Sequence, residues 1–289
     1  MLKKNKRNKG FINSIVAGSL VILLIVFITM LHNSYLSSER GIRDAQPIIY
    51  SKFFFDDVFN EVNEIVGPDI RINQSNNTII LAISDSLPKL NFTGQLEHYG
   101  NFIENEMAGD LHTNISVNFS MIEDGTLEVF LLDHYLYNNS YAGNNAVFFG
   151  TEDPNGKTDV TSYEVNLTLY GYRKSLQDFS WSPDGDVSVV VHSTDYNGTW
   201  QSSGLLNSSE TNSLTITLVS NITRSVDLII GKIGQREGAL LLSDTNSSPD
   251  FSLSVTIPIY NNSLSSNYYY NAELNYSLMN TTKNGLIGN

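Results

Sequence analysis

The chain has 289 residues, 41% of them apolar, with 30 acidic against 17 basic side chains and a net charge of −13. So acidic a balance excludes a nucleic-acid partner, because neutralising phosphates takes clustered Lys and Arg. With no cysteine at all, disulfides, thiolate metal sites and cysteine nucleophiles are excluded as well, and the fold rests on an ordinary hydrophobic core.

Residues 1–10 form a basic leader holding Lys3, Lys4, Lys6, Arg7 and Lys9, which leaves 12 basic side chains for the rest of the chain. Residues 11–31 follow without a charge. At about 1.5 Å per residue such a run spans roughly 30 Å, a bilayer core, so 11–31 is expected to be a transmembrane helix with membrane lipid as its partner. Positive charge before the run and none shortly after it place the N-terminus in the cytoplasm and the body outside, as in a single-pass membrane protein. A cleaved secretory signal would have a shorter apolar stretch and a small-x-small site behind it. The residues that follow, His32-Asn33-Ser34-Tyr35, offer no such site, so the run is expected to be retained.

Residues 32–66 read as a stalk containing an amphipathic helix over 47–66. Phe55, Val58, Phe59, Val62, Ile65 and Val66 recur at helical spacing, while Asp56, Asp57, Asn60, Glu61, Asn63 and Glu64 take the other face. Pro47 would cost about 3 kcal/mol inside a straight helix and marks a break. Gly67-Pro68 stops the helix.

The junction Lys9-Gly10-Phe11-Ile12, behind a short basic leader and ahead of an uninterrupted apolar helix, resembles the processing site of archaeal type IV pilin-like proteins, which carry a class III signal peptide. The resemblance covers roughly residues 1–66. It implies a prepilin-type peptidase that cuts after Gly10, a mature N-terminus at Phe11, and other pilin-like subunits as packing partners. Many bacterial pilins carry Glu at the fifth mature position, where this chain has Ile15; archaeal members often lack that Glu.

From residue 67 to 289 the period changes to two, and an extracytoplasmic β-rich head of one or two subdomains is expected. Thr78–Ile83 reads as a strand without clear alternation. Ile115, Val117, Phe119 and Met121 alternate, Asp124-Gly125 signals a tight turn, and Leu127, Val129 and Leu131 resume the alternation, which predicts a hairpin. Further strands are expected at Tyr163–Leu169, Val187–Val191, Leu214–Leu218, Val226–Ile230, Phe251–Ile259 and Ala272–Leu278. Pro258 places Phe251–Ile259 at an edge or ends it early. The expected fold class is therefore α+β: an N-terminal transmembrane helix and an amphipathic helix, followed by an antiparallel β-sandwich-like head.

Asparagine is abundant, 33 residues, and fourteen of them open an N-x-[ST] glycosylation acceptor: Asn73, Asn76, Asn91, Asn114, Asn118, Asn138, Asn166, Asn197, Asn207, Asn221, Asn246, Asn261, Asn275 and Asn280. All follow the apolar run, on the side that export would expose. Polar strand faces that alternate Asn and Ser/Thr generate some of these acceptors without selection.

Chemical motifs are sparse. Asp153, Asn155, Asp159 and Glu164 have the spacing of a calcium loop, but Thr158 stands where Gly is required and Lys157 where an oxygen ligand belongs. Trp181-Ser182-Pro183-Asp184-Gly185 resembles a turn of β-propeller blades and occurs once, so an ordinary turn is expected. His32, His98, His112, His134 and His192 are scattered; only His112 and His134 flank one predicted hairpin. No P-loop, dinucleotide fingerprint or nucleophile elbow is present, so no cofactor, metal or catalytic residue is assigned. Tyr268-Tyr269-Tyr270, with Tyr260 and Tyr276 nearby, is a run suited to sugar stacking or protein contact, and an edge strand with half of these rings in the core is the favoured reading. The sequence favours a non-catalytic structural or adhesive surface subunit. It leaves open a signal-anchored binding protein that never polymerises, and an anchored extracellular hydrolase.

Overall fold

The structure is a computed structural model that describes residues 20, 23–37, 53–87, 92–111, 113–123, 127–132, 134–140, 146–176, 179, 181–245, 248–258, 267–278 and 281–288. The chain divides into two units, Met1–Phe53 and Phe54–Asn289.

In the first unit residues 23–37 are helical, and the apolar side chains between Leu23 and Leu31 are 46–68% exposed. Among the described residues no helix is long and apolar enough to cross a membrane. Of the expected span 11–31, residues 11–19, 21 and 22 lie outside the described residues.

Helix α1 covers residues 53–66, and all of it but Phe53 belongs to the second unit; residues 47–52 of the expected amphipathic helix lie outside the described residues. α1 buries Phe54, Phe55, Val58, Phe59, Val62 and Val66, and exposes Asp56, Asp57, Asn60, Glu61 and Glu64. It ends as the sequence predicts. Gly67 adopts φ 84°, a left-handed conformation that glycine tolerates, and its N–H donates to the Asn63 carbonyl at 3.0 Å.

The rest is mostly β-sheet. One six-stranded sheet runs in the order β1 (Asp69–Ser75), β2 (Thr78–Ser86), β14 (Asp250–Pro258), β7 (Ser162–Thr168), β9 (Val187–Asp195) and β10 (Gly198–Leu206). The second sheet runs β16 (Thr281–Gly288), β15 (Tyr268–Leu278), β4 (Glu128–Leu131), β5 (Tyr135–Ser140), β6 (Ala146–Thr151), β13 (Arg236–Asp244), β12 (Thr223–Ile233), β11 (Thr211–Val219) and β8 (Arg173–Leu176), with β3 (Asn114–Asn118) also paired to β15. The pairings are antiparallel except β7 with β9, so the expected all-antiparallel head contains one parallel pair. Inward residues of both sheets and of α1 share a single apolar core. Alternation makes this possible: β9 reads buried at Val187, Val189 and Val191, and β11 at Leu214, Ile216 and Leu218.

The predicted hairpin at 115–131 is not formed. β3 pairs with residues Glu273–Ser277 of β15, and β4 with Tyr268–Tyr270 of the same strand. β3 and β4 therefore run in the same direction along one side of β15, as two halves of an interrupted strand. The interruption contains helical turn α4 (Ser120–Glu123), started by Asn118, whose Oδ1 accepts the Ser120 N–H at 3.1 Å and its hydroxyl at 2.7 Å. Phe119 and Ile122 stay buried through this turn, so the alternation is satisfied by a helical excursion instead of a reversal.

Two other strands differ from expectation. β2 alternates clearly, with Ile79, Leu81 and Ile83 buried and Ile80 exposed. β14 is interior, between β2 and β7, and not an edge; Pro258 ends it where β2 is its sole neighbour, pairing opposite Thr78, so the missing N–H breaks no bond to β7. A helical stretch unannounced by the sequence pattern also appears: α2 (Thr93–Phe102), a π-turn at Ile103–Met107 and α3 (Ala108–Leu111). It buries Leu96, Ile103 and Ala108. Its Glu104 carboxylate accepts the Val117 N–H at 2.9 Å, which covers β3 on the side away from β15.

Candidate functional site

The most built surface in the body is the seam where α1 meets β15. The Phe59 ring lies 5.2 Å from Tyr268 and 5.8 Å from Tyr270, and the Tyr270 hydroxyl donates to Asn63 Oδ1. Tyr268 and Tyr270 are buried and Tyr269 is half-buried, stacked 5.1 Å from Phe130 on the other face of the sheet. Two of the three rings of this run are thus in the core, where the sequence implies about half. β15 is not an edge, however, since β4 and β16 flank it. Each buried phenylalanine or valine of α1 contributes about 1.5–3 kcal/mol relative to exposure, so the seam holds the helix firmly.

A second polar connection joins the two sheets. Asp85 of β2 accepts hydrogen bonds from the Tyr137 hydroxyl, from Asn139 Nδ2 at 3.1 Å and from the Ser86 N–H at 2.8 Å. The Tyr163 hydroxyl donates to the Gly238 carbonyl at 2.5 Å. Burial raises the pKa of Tyr137, Tyr163 and Tyr270 well above the ordinary phenol value, and the Asp85 charge adds to the effect on Tyr137 and Tyr270. Burial pushes Tyr135 up to about 12. Such phenols stay neutral near pH 7 and act as structural donors, not as acids or bases.

Among the described residues, two cavities gather polar side chains. One, of about 530 Å³, is lined by His134, Tyr135, Glu152, Asp153, Lys157 and Asp159 among others. It gathers two residues of the calcium-like spacing, Asp153 and Asp159, but Asp153 Oδ1 already accepts the Asn155 N–H at 2.9 Å. Glu164 sits exposed on β7 with its carboxylate 4.0 Å from His192. No group of three or more acidic or histidine side chains able to hold a metal exists among the described residues. His112 lies outside them. The other cavity, about 460 Å³, carries Asp69, Asp85 and Asp250 with Ser84, Ser252 and Asn166. Each carboxylate is engaged: Asp69 with Arg71 at 2.6 Å, Asp250 with the Tyr170 hydroxyl at 2.7 Å, and Asp85 as above. Trp181–Gly185 is a plain turn, closed by the Gly185 N–H on the Ser182 carbonyl at 3.4 Å.

The processing residues Lys9, Gly10 and Phe11 lie outside the described residues, as do the acceptors Asn91, Asn246, Asn261 and Asn280. Asn73, Asn76, Asn114, Asn118, Asn197 and Asn221 are exposed; Asn166, Asn207 and Asn275 are half-buried. Asn138 is 7% exposed, and its Nδ2 donates to Glu128 Oε1 at 3.3 Å, so a sugar on that nitrogen requires the surrounding packing to open. The sequence reading missed the aromatic partners of α1, because their contacts are long-range. It also missed an exposed pair of rings, Tyr172 and Tyr196, 5.2 Å apart.

No known family model, characterised protein or solved structure matches the chain.

Proposed function

We propose that the chain is a membrane-anchored extracytoplasmic glycoprotein of pilin-like build, a structural or adhesive surface subunit without catalytic chemistry. The observation that carries this reading is the helix over 23–37. Its apolar side chains from Leu23 to Leu31 are exposed on all sides, so they find no partner among the described residues. A helix apolar all round needs lipid or neighbouring helices. In this reading lipid surrounds it in the stored subunit, and copies of the same helix or of related pilin-like subunits surround it in a filament. A prepilin-type peptidase acts at Gly10-Phe11, and the body faces outward. Shearing whole cells and collecting the released filaments tests the polymer. The chain is expected in the filament fraction, and its recovery only by detergent extraction of membranes would assign it to a non-polymerising anchored binding protein.

A further inference from the structure

Three of the large exposed apolar side chains on the β-sandwich sit beside glycosylation acceptors. Tyr196, 81% exposed, precedes Asn197; Ile222, 64% exposed, follows Asn221; Ile80 pairs directly with Asn73 across β1 and β2. All three asparagines are themselves exposed. A single exposed apolar side chain is ordinary, but a contiguous group of them marks a surface that something covers.

The arrangement is most developed at the tip of the β9–β10 hairpin. Asp195 and Gly198 are partners, so Tyr196 and Asn197 form the two-residue loop. Asp195 is buried, and its carboxylate takes two backbone donors: the Asn197 N–H at 2.7 Å and the Arg173 N–H at 2.6 Å. This one side chain therefore pins the hairpin tip to the segment that carries Tyr172. The Tyr172 and Tyr196 rings meet edge to face at 5.2 Å, and the Arg173 guanidinium lies 3.4 Å from the Trp200 ring centre, so the rings are positioned before any ligand arrives. The second acceptor is close in the fold. The Tyr172 carbonyl accepts the N–H of Val219, which pairs with Thr223 across the hairpin whose tip holds Asn221 and Ile222.

We infer that Asn197 carries an N-linked glycan whose proximal sugar lies against the Tyr172–Tyr196 ring pair. A sugar offers an apolar C–H face that suits a flat aromatic ring with a polar tip. A sugar tethered at the neighbouring residue has a high effective concentration, so even a weak stacking contact is populated. The attachment uses a lipid-phosphate-linked sugar as donor. The Asn197 Nδ2–C1 bond forms, the C1–O bond to phosphate breaks, the lipid phosphate leaves with the electron pair, and one amide proton is lost to base. The inference rests on the outward placement of the body under the proposed function.

The test uses the full chain produced in its own host. Glycopeptide mass spectrometry is expected to find Asn197 occupied. Nitration of Tyr172 and Tyr196 with tetranitromethane is expected to be several-fold faster in Asn197→Gln than in the parent. The same substitution is expected to lower the melting temperature by roughly 2–4 °C. That decrement should vanish in a Tyr172→Ala background and persist in Tyr196→Phe, which keeps a ring. Asn114→Gln is expected to leave the nitration rates unchanged. An unoccupied Asn197 beside an occupied Asn114 overturns the inference and leaves the export reading standing, whereas acceptors empty throughout overturn both. Occupancy with equal nitration rates in parent and variant also overturns it. So does protection of Tyr196 on a chain unmodified at Asn197, which assigns the rings to a protein contact.

Discussion

Two helices of this chain have opposite relations to their surroundings. Residues 23–31 are apolar on every side and exposed on every side, whereas α1 is apolar on one face and buries that face against β15. The difference lies in composition and in spacing: residues 23–31 carry no charge, whereas α1 interleaves Asp56, Asp57, Glu61 and Glu64 with its apolar residues. α1 concentrates Phe54, Phe55, Val58, Phe59, Val62 and Val66 on one stripe, which a twisted sheet can cover. A helix that is apolar all round cannot be satisfied by one sheet and calls for a surrounding solvent of lipid or helices. Under the proposed function, one helix is completed by its own chain and the other by its environment.

This contrast can be broken at several points. Val62→Asp puts a charge into the seam with no partner and is expected to abolish the folded body, seen as loss of the cooperative unfolding transition in detergent. Phe59→Ala in the same helix is expected to cost about 3–5 kcal/mol in denaturant unfolding, because it empties the space between Tyr268 and Tyr270. The converse change in the first helix, Leu24→Asp with Phe27→Asp, should leave the body's unfolding midpoint unchanged. It should weaken membrane retention by roughly 2.5–3.5 kcal/mol per substitution, measured by flotation with lipid vesicles.

Alkaline pH sharpens the contrast. Tyr137, Tyr163 and Tyr270 have folded pKa values raised above the ordinary 10.0. Their stabilising contribution is complete below pH about 10 and is lost as pH rises through the folded values. The body, including the α1 seam, should therefore unfold above pH 10, with tyrosinate absorbance appearing together with loss of near-UV circular dichroism. The smallest effect is expected for Tyr270→Phe, about 1 kcal/mol, because half-buried Asn63 can take a water in place of the lost hydroxyl.

Much of this was legible in the sequence, for reasons that are local. The period of three and four between Phe55 and Val66, and Gly67 behind it, is sufficient to define α1 and its inner face. Five of the expected strands lie within observed ones, in β2, β9, β11, β12 and β15, and Tyr163–Leu169 overruns β7 by one residue. What escaped was non-local. The 115–131 segment has the alternation of a hairpin, yet β15, some 150 residues later, offers both halves a straight partner, and Asn118 turns the connection helical. Pro258 marked the end of β14 correctly but not its neighbours, since an interior strand tolerates proline where one side has no partner. β6 is buried on both faces, so Ala146–Thr151 lacks the alternation that identifies a strand. The acceptor asparagines were legible as a set. Their exposure, and the rings beside Asn197, depend on which hairpin tips meet at one end of the sandwich.

The account turns on the first helix being retained after processing at one bond. N-terminal sequencing of the mature protein from cell-surface material reads this directly. A chain beginning at Phe11 is the predicted result, and a chain beginning at Met1 would contradict it.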